Sequence, residues 1–462
     1  MNTVSTINES LHETERPEFS EKEIITILKE QYDLCCTIKE LPSERDRNYL
    51  AQDKIGNLYV LKISNASESQ NYLQTQNQAL ECTAKLFDNG RIPTVIPDIE
   101  GESLSRTCSP SNISHWTRLV KYVDGIPMAQ YRPHTKELLH ELGLMCGTVT
   151  KALQGIPMQP PVLKHLWEMH NAKETLQQYI QWIDDRKMRS LVSHFLDLYN
   201  NLLTPVEQGL RRGWIHNDCN DYNVLVIPNL RGTPSLGLID FGDMTYSYLV
   251  AEPAAACAYA MLNKAGPLEA AAHLISGFHK KFRLEEKEVE ILYPMILIRL
   301  CLSVTLGAFQ QQKEPDNEYL GISQEPVRKL LENLQNNNVR YVHHLFRGAC
   351  NYEPSKKADE FRKWQKKPEI NFHSLLKDSL SRKNTIVLDL STGSPLSAKL
   401  QFMSVDEQQN YLDLLLQEKK AQTAVGKYSE VRSIYSAEQF CHNSLEGDEK
   451  RTIHLGIDIF AK

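Results

Sequence analysis

The chain has 462 residues, with a hydrophobic content of 41% and a charged content of 24%, as in ordinary globular proteins of about three domains. The net charge of −6 disfavours nucleic acid as a partner, because binding a polyanion needs a basic surface. Ten scattered cysteines without a C-x-x-C pair favour reduced thiols and a cytoplasmic location over a disulfide framework. The polar first twenty residues contain no apolar stretch, so we expect no secretory signal.

The first part of the chain predicts a disordered stretch at 1–19 and then a small antiparallel sheet with a helix at 20–123. SEKEIITILKE predicts a helix, because Ser20 and Glu23 have the spacing of a capping box. In NYLAQDKIGNLYVLKI, two strand-like runs flank a Gly-Asn turn, which predicts a β-hairpin. A helix over NYLQTQNQALECTAKLF and strands at IPTVIPDI and TRLVKYVDG complete this part.

From 124 to 345 the periodicity predicts mainly helices, with two short strands at VLVIP and LGLID. The stretch ILYPMILIRLCLSVTLGAF is long enough for a membrane span, but Arg299 lies at its centre. Insertion of a central arginine would cost roughly 2.5–3.5 kcal/mol, so we predict a buried core helix and no membrane association. Polar, Asn-rich sequence predicts a linker at 346–370, and short apolar runs predict a β-rich segment at 371–462.

The stretch WIHNDCNDYNVLV contains the pattern H-x-D-x-x-x-x-N, formed by His216, Asp218 and Asn223. An aspartate in a tight loop can accept a proton from a substrate hydroxyl, and a later asparagine can hold Mg²⁺ through its amide oxygen. A polar turn before a strand is the competing structural interpretation, because Asn and Asp favour turns.

Two further motifs favour the functional interpretation. Asp240 ends the run LGLID, where a carboxylate can coordinate a metal that bridges phosphates. If VLVIP and LGLID pair as a hairpin, Asn223 and Asp240 lie at the same end of it. Lys62, in YVLKI, is either an edge charge or a contact to the α- and β-phosphates of a nucleotide.

These motifs resemble the aminoglycoside phosphotransferase and choline kinase group, over about 20–345. Within that group, PSERDRNYL, LVKYVDGIP, WIHNDCNDYNVLV, LIDFGDMTYSYLVAE and EYLGISQEPV are similar to the hydroxylysine kinase family. The resemblance implies an α+β, bilobal protein-kinase-like fold and Mg²⁺-dependent transfer of a γ-phosphoryl group from GTP or ATP to 5-hydroxylysine. Homoserine, choline, ethanolamine or an aminoglycoside as acceptor, or a catalytically silent nucleotide-binding module, stay open as alternatives.

The resemblance also implies residue roles. Asp218 would be the catalytic base, His216 a brace for its loop, Asn223 and Asp240 magnesium ligands, and Lys62 a contact to the phosphates.

Further roles are expected at the nucleotide site and beside the acceptor. The loop over the phosphates would be residues 43–48, which end at Asn48 and contain no glycine. Tyr122 falls at the hinge between the lobes, near the nucleotide base. Gln74 takes the helix position of the glutamate that usually pairs with the strand lysine, with Glu68 and Glu81 as alternatives.

Asp243 and Glu252 are the remaining acidic candidates for contact with the substrate. Asp243 would complement a substrate amine or lie in a solvated turn. The position of Glu252 before Pro253 favours a brace for the catalytic loop or a helix cap.

The last stretch, RTIHLGIDIFAK, resembles the first zinc-ligand motif of LytM-type peptidases through His454 and Asp458, as in long kinase–peptidase–aminotransferase fusions. A catalytic zinc needs three protein ligands, and the sequence ends four residues after Asp458, so we expect an incomplete site.

Overall fold

The structure is a computed structural model. The residues it describes are 16–43, 45–87, 90–156, 166–229, 232–313, 324–353, 358–370, 380, 383–432, 441–444, 447–450, 453–454 and 456–461. Most of the predicted disordered stretch and part of EYLGISQEPV lie outside the described residues.

The first lobe is an antiparallel sheet with two helices. Its strands run in the order β1–β2–β3–β6–β4, and β5 also pairs with β6. The predicted capping box is confirmed, because Ser20 Oγ accepts from the Glu23 N–H while the Glu23 carboxylate accepts from the Ser20 N–H. The elements are α1 (Glu21–Tyr32), β1 (Cys36–Leu41), β2 (Arg47–Asp53), β3 (Leu58–Ile63), α2 (Gln70–Ala84), β4 (Val95–Ile96), β5 (Ser105–Cys108) and β6 (Ser114–Lys121).

The predicted hairpin is strands β2 and β3, and it sets the position of Lys62. Gly56 supplies the left-handed turn at φ +93°, and the Asp53 carboxylate accepts from two turn amides, those of Ile55 and Asn57. In the antiparallel register Lys62 lies opposite Asn48 on β2 and opposite Arg118 on β6. Since directly opposed residues share one face of a sheet, these three side chains form a row.

The second lobe is mostly helical and surrounds α8. The described helices are α3 (Lys136–Leu153), α4 (Ala172–Tyr179), α5 (Arg186–Leu203), α6 (Ala251–Ala260), α7 (Pro267–Lys281), α8 (Glu286–Lys313), α9 (Gln324–Leu334) and α10 (Val339–Ala349). Helix α8 is long and apolar enough to cross a membrane, but 94% of its most apolar 18-residue stretch is buried inside the protein. It is the core helix predicted from the sequence.

Short strands in the second lobe carry the loops with the polar motifs. They are β7 (Ile126–Pro127), β8 (Arg212–Ile215), β9 (Val224–Ile227), β10 (Ser235–Leu238) and β11 (Thr245–Tyr248). Strands β9 and β10 pair antiparallel, which confirms the second predicted hairpin. The Ile239 N–H donates to the Asn223 carbonyl at 3.0 Å, so the two motif loops meet at one end of it.

The C-terminal segment contains the predicted strands and also helices. Its elements are α11 (Ala358–Gln365), β12 (Thr385–Leu388), α12 (Pro395–Leu400), α13 (Val405–Glu418), β13 (Thr423–Gly426), β14 (Glu430–Val431), β15 (Cys441–Ser444), β16 (Gly447–Lys450), β17 (Ile453–His454) and β18 (Ile459–Ala461). Strand β12 is parallel to β13, and leucines of α13 pack on them in a small separate core.

Two predicted boundaries differ from the structure. The predicted linker begins inside α10, whose Val342 and Phe346 are buried with the spacing of one helix face. The Asn-rich run that precedes α10 ends at Asn338, which caps the start of this helix because its Oδ1 accepts from the Tyr341 N–H at 3.1 Å. At the other end, Phe19 lies in the predicted disordered stretch but is buried in the first-lobe core.

Helices α3 and α7 cross closely, which predicts the effect of one glycine substitution. A Cβ at Gly277 would collide with the His140 carbonyl oxygen, and one at Gly143 with that of Leu274. Gly277→Ala should therefore lower the free energy of unfolding by about 1–3 kcal/mol through overpacking, measured by urea denaturation. Gly348→Ala, on α10 with open space around it, is the matched control and should not destabilise. Equal stability of the two variants would contradict the close crossing.

Candidate active site

Asp218 lies in the loop after β8, and every hydrogen-bond partner that the structure shows for its carboxylate is a donor. Asn220 Nδ2 and Asn223 Nδ2 donate to its Oδ2 at 3.0 and 2.7 Å, and Arg299 Nη2 donates to its Oδ1 at 2.9 Å. Burial raises the pKa of Asp218, and the positive charge of Arg299 opposes that rise. The site thus holds a carboxylate in a fixed orientation, with 20% of its side chain still exposed.

His216 and Glu252 support this loop from beneath, and both are completely buried. His216 Nδ1 accepts from the Asp218 N–H at 3.3 Å, so the proton is on Nε2, which donates to the Ile239 carbonyl at 3.1 Å. Burial lowers the pKa of His216, which keeps the ring neutral. Glu252 Oε2 accepts from the Asn217 N–H at 2.9 Å. Glu252 therefore braces the loop, and its assignment as a substrate contact is wrong because it is buried on the inner side.

Asn223 and Asp240 come together at the end of the β9–β10 hairpin. The Asn223 amide donates through Nδ2 to Asp218, which leaves its Oδ1 as the atom for a cation. Asp240 follows β10 with half of its side chain exposed. Its backbone is left-handed, at φ +60°, a strained conformation that concentrates at functional sites. A carboxylate and an amide oxygen fit Mg²⁺, which usually takes one or two such ligands and completes its shell with water and phosphate oxygens.

Lys62 reaches across from the first lobe to this candidate metal-binding end of the hairpin. Its Nζ lies 3.0 Å from Asp240 Oδ1, and the lysine charge lowers the pKa of that carboxyl. The structure thus brings the strand lysine to Asp240, a contact that the sequence did not predict.

The expected pairing of Lys62 with Gln74 is wrong. Gln74 is exposed on α2, while Gln76, two residues later and about 200° around the helix, is buried. Gln76 Oε1 and Asn77 Oδ1 accept from the two terminal nitrogens of Arg118, the residue beside Lys62 in the sheet. Gln76 also donates to the Gly242 carbonyl at 3.3 Å, which connects α2 to the turn after Asp240.

Arg45, in the predicted glycine-free loop at 43–48, contacts the turn after Asp240 through a charge pair. Arg45 Nη2 donates to Asp243 Oδ1 at 2.8 Å. The Asp243 charge is therefore already paired, and a substrate amine would have to compete with Arg45 for it. Asn48, predicted as the end of the loop, lies in strand β2, and its buried Oδ1 has no hydrogen-bond partner within the described part of the chain. Tyr122, directly after β6, donates its N–H to Leu58 and is half-buried at the expected connection between the lobes.

Arg299 was expected only as a core residue, and the structure gives it a place in the site. The side chain is 1% exposed, and the guanidinium lies 4.9 Å from the Trp167 ring centroid and 5.5 Å from that of Tyr259. Besides Asp218, it donates to the Trp167 carbonyl at 3.2 Å. One signal in the sequence was available: a lone arginine in an apolar helix needs a buried acceptor.

The C-terminal pair has no comparable arrangement. His454 Nε2 lies 3.4 Å from Asp458 Oδ1, and Asp458 Oδ2 also accepts from Arg432. Among the residues that the structure describes, neither belongs to a group of three potential metal ligands. The peptidase resemblance stays a prediction.

The chain matches the phosphotransferase enzyme family (APH) over residues 37–285, more than half of its length. It is 27% identical to the hydroxylysine kinase of Danio rerio, over 67% of this chain and 89% of that protein. With the hydroxylysine kinase of Bos taurus it shares 26% identity, over 73% of this chain and 95% of that protein.

Solved structures agree on the fold. A microcompartment-associated aminopropanol kinase is 16% identical with a TM-score of 0.54, covering 68% of this chain and 97% of the other. An amicoumacin kinase in complex with AMP-PNP, Ca²⁺ and Ami is 15% identical with a TM-score of 0.51, over 69% and 94%. The predicted bilobal fold and the predicted enzyme class, a kinase that acts on an alcohol group, are confirmed. The chain therefore belongs to the phosphotransferase enzyme family.

Proposed function

We propose that this enzyme transfers the γ-phosphoryl group of GTP or ATP to the hydroxyl group of a small amino alcohol, with 5-hydroxylysine as the acceptor. The observation that carries the proposal is the position of Asp218 beside Asn223 and Asp240, with Lys62 opposite. Its relatives named hydroxylysine kinase support the acceptor.

Asp218 acts as the general base. Its carboxylate accepts the proton of the acceptor hydroxyl, and the hydroxyl oxygen attacks the γ-phosphorus as the nucleoside diphosphate leaves. Asn220 and Asn223 hold one carboxylate oxygen and Arg299 holds the other, so that the base is oriented before the substrate arrives.

Asn223 Oδ1 and the Asp240 carboxylate would hold Mg²⁺, and Lys62 would bind the phosphates. Bound Mg²⁺ supplies charge neutralisation for the transferred phosphoryl group. Before the nucleotide binds, Lys62 and Asp240 neutralise each other at 3.0 Å. When Mg²⁺ and the nucleotide bind, the Lys62–Asp240 pair would be exchanged for a pair between Lys62 and a phosphate and a pair between Asp240 and Mg²⁺. Neither side chain is therefore left with an unpaired charge before or after binding.

The test is a panel of acceptors with ATP and GTP as donors. The acceptors are 5-hydroxylysine, lysine as the matched control without a hydroxyl, homoserine, choline, ethanolamine and an aminoglycoside. We expect the highest kcat/KM with 5-hydroxylysine and no phosphorylated product with lysine. A higher kcat/KM with another acceptor would contradict 5-hydroxylysine as the substrate and identify that acceptor in its place. Metal-dependent nucleotide binding without transfer to any acceptor would instead identify a silent binding module.

Asp218→Asn keeps the shape of the base and removes its ability to take a proton. We expect kcat to fall by roughly 10²–10⁴-fold, since that is the usual contribution of a general base. The affinity for Mg²⁺–nucleotide, measured by calorimetry, should be almost unchanged. The matched control is Asp413→Asn, on α13 in the C-terminal segment, which should retain wild-type turnover. Near-normal turnover of Asp218→Asn would rule out the proposed base.

Arg299 should control the pH dependence of the reaction. The base must be ionised, so log(kcat/KM) should rise with pH up to the pKa of Asp218, which burial has raised. Because Arg299 lowers that pKa, Arg299→Met should move the acidic limb to higher pH, whereas Arg299→Lys should keep it close to that of the wild type. Thermal unfolding of both variants checks the fold. An unmoved limb in a folded Arg299→Met variant would contradict the pairing.

A further inference from the structure

Three potential metal ligands meet beneath the catalytic loop, apart from the magnesium site. His216, Cys219 and Glu252 each offer a ligand atom, and the three atoms lie within 4.8 Å of one another. Cys146, on α3, lies beside this group, with its Sγ 3.6 Å from Cys219 Sγ but outside the set of three mutually close ligand atoms. All four side chains are at most 1% exposed.

From this cluster we infer a second metal site, built for a thiophilic cation of the Zn²⁺ type. Zinc binds cysteine sulfur at about 2.3 Å in tetrahedral geometry, which places two ligand sulfurs about 3.8 Å apart. The observed 3.6 Å between Cys146 and Cys219 is close to this value, and binding would draw Cys146 towards the other two ligands. Thiolate, imidazole and carboxylate are the ligand types of protein zinc sites.

A second, independent observation is the unused oxygen of Glu252. Its Oε2 accepts from the Asn217 N–H, whereas Oε1 is buried and makes no hydrogen bond of good geometry among the described residues; the Cys219 thiol beside the carboxylate is only a weak donor. A buried carboxylate oxygen without a partner is costly, and a cation at this place would satisfy it. The magnesium ligands Asn223 and Asp240 differ, because they offer only oxygen, which suits a harder cation.

Binding at this site would act on the catalytic base. As Zn²⁺ binds, each of the two thiols releases one proton to solvent and becomes a thiolate ligand. The imidazole ligand is His216 Nδ1, the atom that now accepts from the Asp218 N–H. Coordination by His216 breaks that hydrogen bond and displaces Asp218. The cation is therefore an inhibitor, a consequence that rests on the proposed function, whereas the binding itself does not.

Cobalt(II) is the probe, because thiolate ligands give it a charge-transfer absorption band that oxygen ligands do not. The full-length chain is saturated with Mg²⁺ and incubated with Co²⁺ long enough for local opening of the buried site. We expect one equivalent of Co²⁺ with the thiolate band in the wild type. Cys146→Ala and Cys219→Ser should each reduce the band. Cys301→Ala, another buried cysteine, and His454→Ala, in the C-terminal segment, should keep it.

Activity is measured in parallel with Zn²⁺ in place of Co²⁺. One equivalent should lower the kcat of the wild type roughly a hundredfold, the scale of a lost general base, with Mg²⁺ still saturating. Cys146→Ala should lose this sensitivity relative to its own zinc-free rate, and circular dichroism checks its fold. A wild type without the band, or a band that survives in the Cys146→Ala/Cys219→Ser double variant, would overturn the site. If the band appears in a chain without kinase activity, the site stands and the proposed function fails.

Discussion

The ion pair between Asp218 and Arg299 is the interaction on which the rest of the site depends. Arg299 is 1% exposed in the centre of α8, so its charge needs an acceptor within the core. Asp218 in turn needs a cation, because its carboxylate is largely removed from water in a loop that lies on buried His216 and Glu252. The charge of each residue offsets the cost of removing the other from water. The pair also fixes the catalytic loop of the second lobe against the longest helix of the structure.

A second set of ion pairs joins the two lobes, and these pairs are more exposed to solvent than the pair of Asp218 and Arg299. Lys62 with Asp240, and Arg45 with Asp243, each join a residue of the first lobe to the turn after β10. These pairs are partly exposed, so screening by water makes each of them weak. A firmly held Asp218 carboxylate beside partly exposed, exchangeable ion pairs suits an enzyme that must admit a charged nucleotide and release it.

The site residues that could be predicted from the sequence are those that lie close together along the chain or in one hairpin. Asp218 and Asn223 lie five residues apart in one loop, and the alternating hairpin strands bring Asp240 to the same end. The predicted pairing of Lys62 with Gln74 was wrong, because a helix turns about 100° per residue and the sequence does not show which face meets the sheet. The buried face carries Gln76, which binds Arg118, while Lys62 pairs with Asp240. Arg299 was missed as a site residue because its partner is 81 residues away, and no periodicity encodes that contact.

A double-mutant cycle between Asp218 and Arg299 tests the central claim most directly. The effects of Asp218→Asn and Arg299→Met on log(kcat/KM) are measured singly and together, at a pH where the wild type is fully active. If Arg299 works through the base, the arginine substitution should have almost no further effect once Asp218 is asparagine. Fully additive losses would show that the two residues act independently and would contradict this account.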